Sequence, residues 1–306
     1  MSRTVISSGG GGASGGTTLA PTTNNWATGT FGTGQLMTFG GAGAYTFVVP
    51  TATTSIRVRC FGAGGSGGTQ NSYSGGAGGG FALGTFTVTG GSSHIVTVGA
   101  GGQNGATGGT SSFGSLISAT GGTGSSTNSS QKAGGMGSGG TVNYQGGDAQ
   151  GNYSGGGGVA CIFGRGNPGS YSGGNYPTGS GGYGRPGGAG GGFGKNGGFY
   201  TSDGKGTTYG TFGIIMTGAE GRQQSPEASV FYISPAAIPN CIDMLGTGPG
   251  GVQDGGKGYG INGGGGAAHN GSNPGAGGWP GGGGGSGGSA ASPYGNGADG
   301  CVIVEY

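Results

Sequence analysis

Few residues in this sequence have the types and spacing that chemistry requires. The segment 62–67 reads Gly-Ala-Gly-Gly-Ser-Gly and follows a strand-like stretch, which matches the G-x-G-x-x-G pattern of dinucleotide-binding loops. A chain with 96 glycines among 306 residues produces such matches by chance. No helix-forming sequence follows that would direct backbone amides at a pyrophosphate. We therefore expect no nucleotide site in this segment.

Groups suited to phosphate transfer or acid–base catalysis are equally sparse. Lys195 and Lys205 each follow a glycine but lack the Ser or Thr that a phosphate-binding loop places after its lysine. The only histidines are His94 and His269, and His94 belongs to a strand pattern that favours a structural role. These residues predict no catalytic centre.

Carboxylates and cysteines also fail to form a recognisable site. The chain has 8 Asp and Glu residues in all, too few and too scattered for the facing pair that a glycosidase needs. Its cysteines form no C-x-x-C pair, so we expect no metal site and free, mostly buried thiols. They are Cys60, Cys161, Cys241 and Cys301. We predict that the protein is not an enzyme and uses no cofactor.

Aromatic residues between the glycine runs are the positive signal for function. Tyrosine and tryptophan supply rigid, amphipathic contact area and are favoured in recognition surfaces. Their alternative role is to cap the ends of a glycine-rich core. We assign as candidate receptor-binding residues Tyr144, Tyr153, Tyr171, Tyr176, Tyr183, Tyr200, Tyr209, Tyr232 and Trp279.

Charge and hydropathy exclude two partner classes. The 10 Lys and Arg residues are spread thinly and leave a net charge of +2, so no basic patch for nucleic acid is expected. The N-terminal sequence lacks the apolar stretch of a secretory signal, and no run approaches the length of a membrane span. We expect a soluble protein made in the cytoplasm.

The glycine content itself favours a bundle of extended segments. Interrupted runs such as 281–285 and only 12 prolines exclude collagen. Disordered chains are usually highly charged, and this chain is not. Glycine segments in the polyproline II conformation can approach closely enough for N–H···O contacts between them. Glycine would then serve as the packing material.

Alternating β-branched and aromatic residues predict strands near both ends of the sequence. The second of them carries Ile56, Val58 and Cys60 on one face, and Arg57, Arg59 and Phe61 on the other. The segment 89–93 predicts a hairpin loop between two strands. We expect the C-terminal strand to pair beside 55–61. The predicted strands are 45–49, 55–61, 81–88, 94–98, 113–119 and 301–306.

The predicted fold class is all-β with almost no helix. It comprises a small antiparallel β-sandwich or jelly-roll-like frame, closed by the C-terminal strand, with an inserted polyglycine-II-like bundle and irregular loops. Residues 1–44 would form an N-terminal attachment arm, 45–120 plus 296–306 the frame, and 121–295 the bundle. A glycine-poor excursion at 212–245 carries Ile214, Ile215, Phe231 and Ile233.

Several of these segments together resemble the glycine-rich domains at the tips of bacteriophage tail fibres. They include Tyr-Thr-Phe-Val-Val-Pro at 45–50, Ile-Arg-Val-Arg-Cys-Phe-Gly-Ala-Gly-Gly at 56–65, Val-Thr-Val-Gly-Ala-Gly-Gly at 96–102 and Gly-Cys-Val-Ile-Val-Glu-Tyr at 300–306. The resemblance covers 45–120 and 296–306. It implies a non-enzymatic virion protein whose loops bind an outer-membrane protein or a glycan of the host. The 212–245 excursion departs from that pattern.

The resemblance also implies partners and a location. We expect a host-cell surface receptor, other tail or fibre proteins, and either a homotrimer or attachment to a trimeric fibre, in a virion assembled in the host cytoplasm. The alternative is a purely structural fibre or capsid-decoration subunit that binds no receptor. An ice-binding glycine bundle would need a flat, regular face, which the irregular spacing of the runs disfavours.

Overall fold

The computed structural model describes 37–68, 74–125, 130–149, 151, 154–162, 164–166, 168–169, 274–287 and 294–306, together with the backbone of 17–19 and 36. These residues contain eleven strands and no helix. The prediction of an all-β fold is thereby confirmed for the described residues.

Five strands form the first sheet, in the order β10-β5-β4-β11-β2, and all neighbouring strands are antiparallel. The C-terminal strand β11 lies beside β4, as predicted, and its other neighbour is β2. The strands are β2 (Leu36–Phe39), β4 (Ser55–Phe61), β5 (Phe81–Thr87), β10 (Val142–Tyr144) and β11 (Cys301–Glu305).

Six strands form the second sheet, in the order β1-β3-β6-β7-β8-β9. All neighbours are antiparallel except β1 and β3, which are parallel. The strands are β1 (Thr17–Leu19), β3 (Gly43–Val48), β6 (Ser93–Val98), β7 (Ser111–Phe113), β8 (Ile117–Ala119) and β9 (Gly137–Ser138).

One buried cluster contains side chains from both sheets. The five-stranded sheet contributes Ile56, Val58 and Cys60 on alternate positions of β4, and the six-stranded sheet contributes Phe47 and Phe113, among others. Phe47 packs against Phe113 and against Tyr306, with ring centroids 5.8 Å apart in each pair. The period-two pattern of β4 thus directs its apolar side chains into a core that the two sheets share.

The predicted hairpin at 89–93 is wrong. The strands on either side of it, β5 and β6, belong to different sheets, so this segment crosses from one sheet to the other. Both strands find partners that are distant in sequence: β5 pairs with β4 and β10, whereas β6 pairs with β3 and β7. A turn signal marks where the chain reverses and does not fix which strands pair.

Between the strands, the glycine segments bond to one another with a three-residue repeat. In 62–68, residues 62, 65 and 68 donate their amides to 74–80, residues 63 and 66 donate to 106–109, and residues 64 and 67 donate to 295–298. The N···O distances are 2.8–3.1 Å. Three residues per turn is the repeat of a polyproline II helix, so successive amides face directions about 120° apart.

The carbonyls of 62–68 accept from three further segments, 99–102, 122–125 and 284–287. Six segments therefore surround this one. Segment 74–80 has a similar environment, because its amides at 76 and 79 bond to 281–284, those at 77 and 80 bond to 120–123, and its carbonyls accept from 62–68 and 154–160. These hydrogen-bonded segments include residues within the 45–120 range that the sequence assigns to the frame.

The backbones of these glycine segments lie too close together to leave room for a side chain. A Cβ placed on Gly64 would lie 1.9 Å from the carbonyl oxygen of Gly282, and one on Gly283 would lie 2.1 Å from that of Gly76. Real Cβ atoms do not approach backbone oxygens so closely. Glycine is required here for close approach of one backbone to another.

The strands and the glycine segments give the molecule two distinct ends. Strand β4 leads directly into 62–68, and β8 leads directly into 120–125. The chain therefore passes twice from a sheet into the hydrogen-bonded glycine segments, which together are called the bundle. Segments 74–80 and 294–300 return to β5 and β11. The turns at 50–54, 89–92 and 114–116 lie at the other end of the sheets.

Candidate functional site

The bundle tip is the end of the glycine segments that lies away from the sheets. The chain enters and leaves this tip repeatedly, because one segment of each pair runs outward from a sheet and the next returns. The described residues at the tip include Gly68, Ser74, Gln103, Asn104, Gly105, Ser125, Ser130, Ser154, Gly169, Pro274, Gly287 and Tyr294.

A layer of five buried serines underlies the tip. Their hydroxyls serve backbone groups where the glycine pattern ends: Ser66 Oγ accepts from Gly105 N at 3.1 Å, and Ser154 Oγ accepts from Gly75 N at 2.8 Å. Ser74 Oγ and Ser125 Oγ share a hydrogen bond of 3.0 Å. The members, all fully buried, are Ser66, Ser74, Ser125, Ser154 and Ser286. A fixed platform of short hydroxyls therefore supports the tip.

One tight turn at the tip is fully described. Asn104 and Gly105 have φ values of 52° and 79°, and Ala106 N donates to Gln103 O at 2.9 Å. Two consecutive positive φ values with this bond define a type I′ turn, which favours Asn-Gly at its centre. Asn104 is the only described non-glycine residue with a positive φ. The turn holds Gln103 and Asn104 in exposed positions.

The side chains exposed beside this turn are uncharged and polar. Asn296 is exposed and Tyr294 is half-buried on the adjacent segment, which bonds to 99–102 through Gly297 N and Gly102 O at 2.9 Å. A carboxylate lies next to the turn, since the half-buried Asp299 accepts from Gly101 N at 2.7 Å. Elsewhere in the bundle, Lys132 is 8% exposed and donates to Ser130 Oγ at 3.3 Å. Burial lowers the pKa of the Lys132 ammonium below its ordinary value.

A second polar group, below the tip on the flank of the bundle, is internally satisfied. Asp148 Oδ2 accepts from Arg165 Nη2 at 2.7 Å and from Gln131 Nε2 at 3.0 Å, and its Oδ1 accepts from Gly134 N at 2.9 Å. Arg165 is the exposed partner of this pair. The arrangement joins three glycine-bearing segments and leaves no carboxylate oxygen without a donor.

A buried ion-pair triad lies on the face of the five-stranded sheet away from the shared core. Arg57 donates to both oxygens of Glu305, at 2.8 and 2.7 Å, and Arg59 Nη1 donates to Oε2 at 2.6 Å. Arg59 and Glu305 are 1% and 2% exposed. Burial raises the pKa of Glu305, but the hydrogen bonds and charges of Arg57 and Arg59 outweigh it, so the pKa lies below its ordinary value.

Only two of the predicted receptor-binding aromatics lie among the described residues. Tyr144 is exposed on β10 and pairs with Phe81, and Trp279 is half-buried with its Nε1 donating to Gly40 O and Gly300 O at 3.2 and 3.1 Å. Both lie where the five-stranded sheet meets the bundle, and Trp279 packs against a second apolar cluster that contains Phe61, Phe81 and Ile303. Tyr153, Tyr171, Tyr176, Tyr183, Tyr200, Tyr209 and Tyr232 lie outside the described residues.

Cys60, Cys161 and Cys301 are described and all three are buried; Cys60 and Cys301 are free thiols, as predicted. Burial raises the pKa of the Cys60 and Cys301 thiols well above the ordinary range, so both stay protonated at neutral pH. Among the described residues no group of three His, Cys, Asp or Glu side chains is placed to hold a metal ion. In the same residues no helix is long and apolar enough to cross a membrane.

Sequence reasoning did not identify Gln103, Asn104 or Asn296. The signal for the first two was present, since Asn-Gly at 104–105 is a turn signature. Abundant glycine obscured it. Glu305 was also missed, because its place opposite Arg57 depends on the register of β11 beside β4, which the sequence does not specify.

No protein-family model matches the chain, and no curated protein matches it significantly.

Proposed function

We propose that this protein is a non-enzymatic structural component of a virion, the tip of a tail fibre, and that it binds a receptor on the host-cell surface. Its partners are that receptor and other tail or fibre proteins, and the assembled fibre is a trimer. The protein reaches the virion by assembly in the host cytoplasm. The resemblance of 45–120 and 296–306 to tail-fibre tip domains supports this proposal.

The observation that carries the proposal is the polarity of the fold. Strand β2 begins at Leu36, which pairs with Glu305 at the end of the sheet away from the bundle. The sheet end, with the turns at 50–54, 89–92 and 114–116, and the bundle tip are thus opposite ends of the described molecule. A fibre protein that binds a cell needs this separation between attachment and display.

The glycine bundle supports the same role. Loops that recognise a partner bind more tightly when the scaffold holds their ends rigidly, because less conformational entropy is lost on binding. The segments that end at the tip are bonded to one another through their backbones, residue by residue. Loop sequences can then vary without disturbing the scaffold.

The proposal is tested with the purified full chain and a panel of bacterial strains. A fluorophore is attached at Ser115→Cys, an exposed position in the turn between β7 and β8 at the sheet end, in a chain that also carries Cys241→Ser. Flow cytometry should show saturable binding to some strains and not others, and excess unlabelled protein should abolish it.

Virions provide the second test. Particles with 212–245 deleted should assemble but fail to adsorb. Failed assembly, together with a purified chain that binds no strain, would contradict the proposal and support the purely structural alternative.

A further inference from the structure

We infer that the outer face of the six-stranded sheet, the face turned away from the shared core, packs against a second copy of this chain with the long axes of the two copies parallel. The inference rests on the proposed function, in which copies assemble into a fibre, and it identifies the surface through which they meet. Its support comes from the lack of charge on this face, from its relief, and from its extent and direction.

Alternation along the strands decides which side chains form the outer face. Phe47, Val96 and Phe113 are fully buried in the shared core, so the residues that alternate with them point the other way. The residues that the outer face carries include Thr46, Ile95, Thr97, Ser112, Ser118 and Ser138. All of these side chains are half-buried or exposed.

The outer face carries no charge. None of the six strands of this sheet contains an Asp, Glu, Lys or Arg residue, whereas the five-stranded sheet places Arg57, Arg59 and Glu305 on its own outer side. Where two copies of one chain meet close to a symmetry axis, a residue faces its own counterpart. A charge in such a position would face a like charge, which is unfavourable. An uncharged face therefore suits a second copy.

The relief of the outer face is complementary to itself. Cross-strand pairing places Thr97, Ser112, Ser118 and Ser138 in one row across four strands. Short hydroxyl side chains make this row low, and each hydroxyl can both donate to and accept from its counterpart on another copy.

Two large apolar side chains stand on either side of this row. Ile95 is 55% exposed and lies two residues from Thr97 toward the sheet end, and Met136 is 51% exposed and lies two residues from Ser138 toward the bundle. Together they are two of the four large apolar side chains that the described residues expose. An exposed apolar side chain that packs against a low row on a partner is the usual anchor of a protein interface.

The extent of the outer face is sufficient for a stable contact. Six strands of up to six residues lie side by side, and at about 4.8 Å between strands and about 3.4 Å per residue they span roughly 25 by 20 Å. The exposed Thr120 and Met136 continue the face onto the bundle. Its area is on the order of 500–800 Å², and a standard interface buries about 800 Å² on each partner.

The direction of the outer face fits a fibre. The face runs from the turn at 114–116 toward the bundle, along the line that joins the two ends of the molecule. Copies that pack through it with parallel long axes bring all bundle tips to one end of the assembly. Recognition loops are then displayed together, which raises the effective concentration of binding sites at a cell surface.

Sedimentation velocity of the purified full chain across a dilution series tests the inference. We expect the parent to sediment as an oligomer, and Ile95→Glu and Ser118→Glu each to raise its dissociation constant at least about a hundredfold, because each places a charge inside the contact. The matched control is Thr87→Glu, which adds the same charge at an exposed position on the outer side of the five-stranded sheet and should leave the dissociation constant unchanged.

Both outer-face positions are accessible in the single chain, so the circular dichroism spectrum of each variant should match that of the parent. Two variants are used so that a failure of one to fold leaves the other to decide. A parent that sediments as a monomer at every concentration would overturn the inference. So would an oligomer that both variants leave intact.

Förster transfer measures the orientation of the copies. In chains that also carry Cys241→Ser, labels are attached at Ser115→Cys at the sheet end or at Gln103→Cys at the bundle tip, both exposed. Mixed oligomers should show more efficient transfer between two Ser115→Cys labels than between Ser115→Cys and Gln103→Cys. The reverse order would mean antiparallel copies and would overturn the parallel arrangement.

The flow-cytometry assay separates the failure of this inference from that of the proposed function. A monomeric parent that still binds bacterial strains overturns the inference and leaves the receptor-binding role intact. An oligomer that Ile95→Glu dissociates, and that binds no strain, supports the inference and contradicts the receptor-binding role.

Discussion

On the face of the five-stranded sheet away from the shared core, Glu305 is the residue whose substitution should lower the free energy of unfolding most. Its carboxylate faces Arg57 and Arg59, and Arg59 is almost fully buried. A buried ion pair contributes little net stability, but loss of one partner leaves an uncompensated charge in a poorly solvated position. The triad therefore makes the fold intolerant of change in the C-terminal strand.

Glu305→Gln keeps the shape of this side chain and removes its charge. We expect the free energy of unfolding to fall by about 3 kcal/mol, because two guanidinium groups lose their counter-ion. Urea denaturation monitored by tryptophan fluorescence measures the change. Asp299→Asn, which alters a half-buried carboxylate that accepts a backbone amide, is the comparison and should cost less. An equal loss of unfolding free energy in the two variants would show that the triad stabilises the fold no more than the Asp299 hydrogen bond does.

The same residue gives stability a defined pH dependence. The pKa of Glu305 is lower in the folded protein than in the unfolded chain. Its stabilising contribution is therefore complete above the unfolded value, about 4.3, and is lost as the pH falls through the lower folded value. The stability difference between the parent and Glu305→Gln should be constant from pH 6 to 8 and shrink below about pH 4. A difference that grows on acidification would contradict the assignment.

At the scale of elements, the sequence predicted strands better than their partners. β4, β5, β6 and β11 all appear close to their expected bounds, because alternating β-branched residues fit a half-buried strand. β1, β2, β9 and β10 were missed. Three of these strands are only two or three residues long and polar or glycine-bearing, so local sequence carries little signal and pairing with distant strands decides their structure.

The tip was harder to predict than the strands for a related reason. Aromatic content directed attention to Tyr144 and Trp279, which the fold places at the junction of sheet and bundle. Gln103 and Asn296 are separated by nearly two hundred residues and become neighbours only through bonds between glycine segments. No local sequence pattern in either segment predicts that contact.

A glycine segment should tolerate no added side chain where it contacts another backbone. Gly283→Val places its Cβ about 2 Å from Gly76 O, and overpacking of this kind typically costs about 1–3 kcal/mol, or more where backbone cannot move. We expect a loss of at least about 3 kcal/mol and a lower melting temperature, measured by calorimetry. Gly114→Ala is the control, since its Cβ would meet open space and only the φ of +54° is unfavourable. A similar loss of stability in Gly283→Val and Gly114→Ala would contradict close packing of the glycine backbones.

At the scale of the whole molecule, two kinds of core lie end to end. The sheets share a core of side chains, and the bundle has a core of hydrogen-bonded backbone. Segment 294–306 belongs to both, because 295–298 bonds to 62–68 and β11 lies between β4 and β2. The two parts should consequently unfold together.

Hydrogen exchange tests that coupling. All seven amides of 62–68 are donated to other segments, and six segments surround it, so these amides can exchange only when the bundle opens. We expect the amides of 64–67 to exchange as slowly as those of Val58 and Cys60 in β4, at the rate of global unfolding. In the exposed turn at Leu116, exchange should be faster by orders of magnitude. The measurement is mass spectrometry of peptides that span 55–61 and 62–68 separately. Rapid exchange in 62–68 beside slow exchange in β4 would mean that the bundle opens independently of the sheets, and a bundle that opens on its own could not hold the tip rigid for recognition.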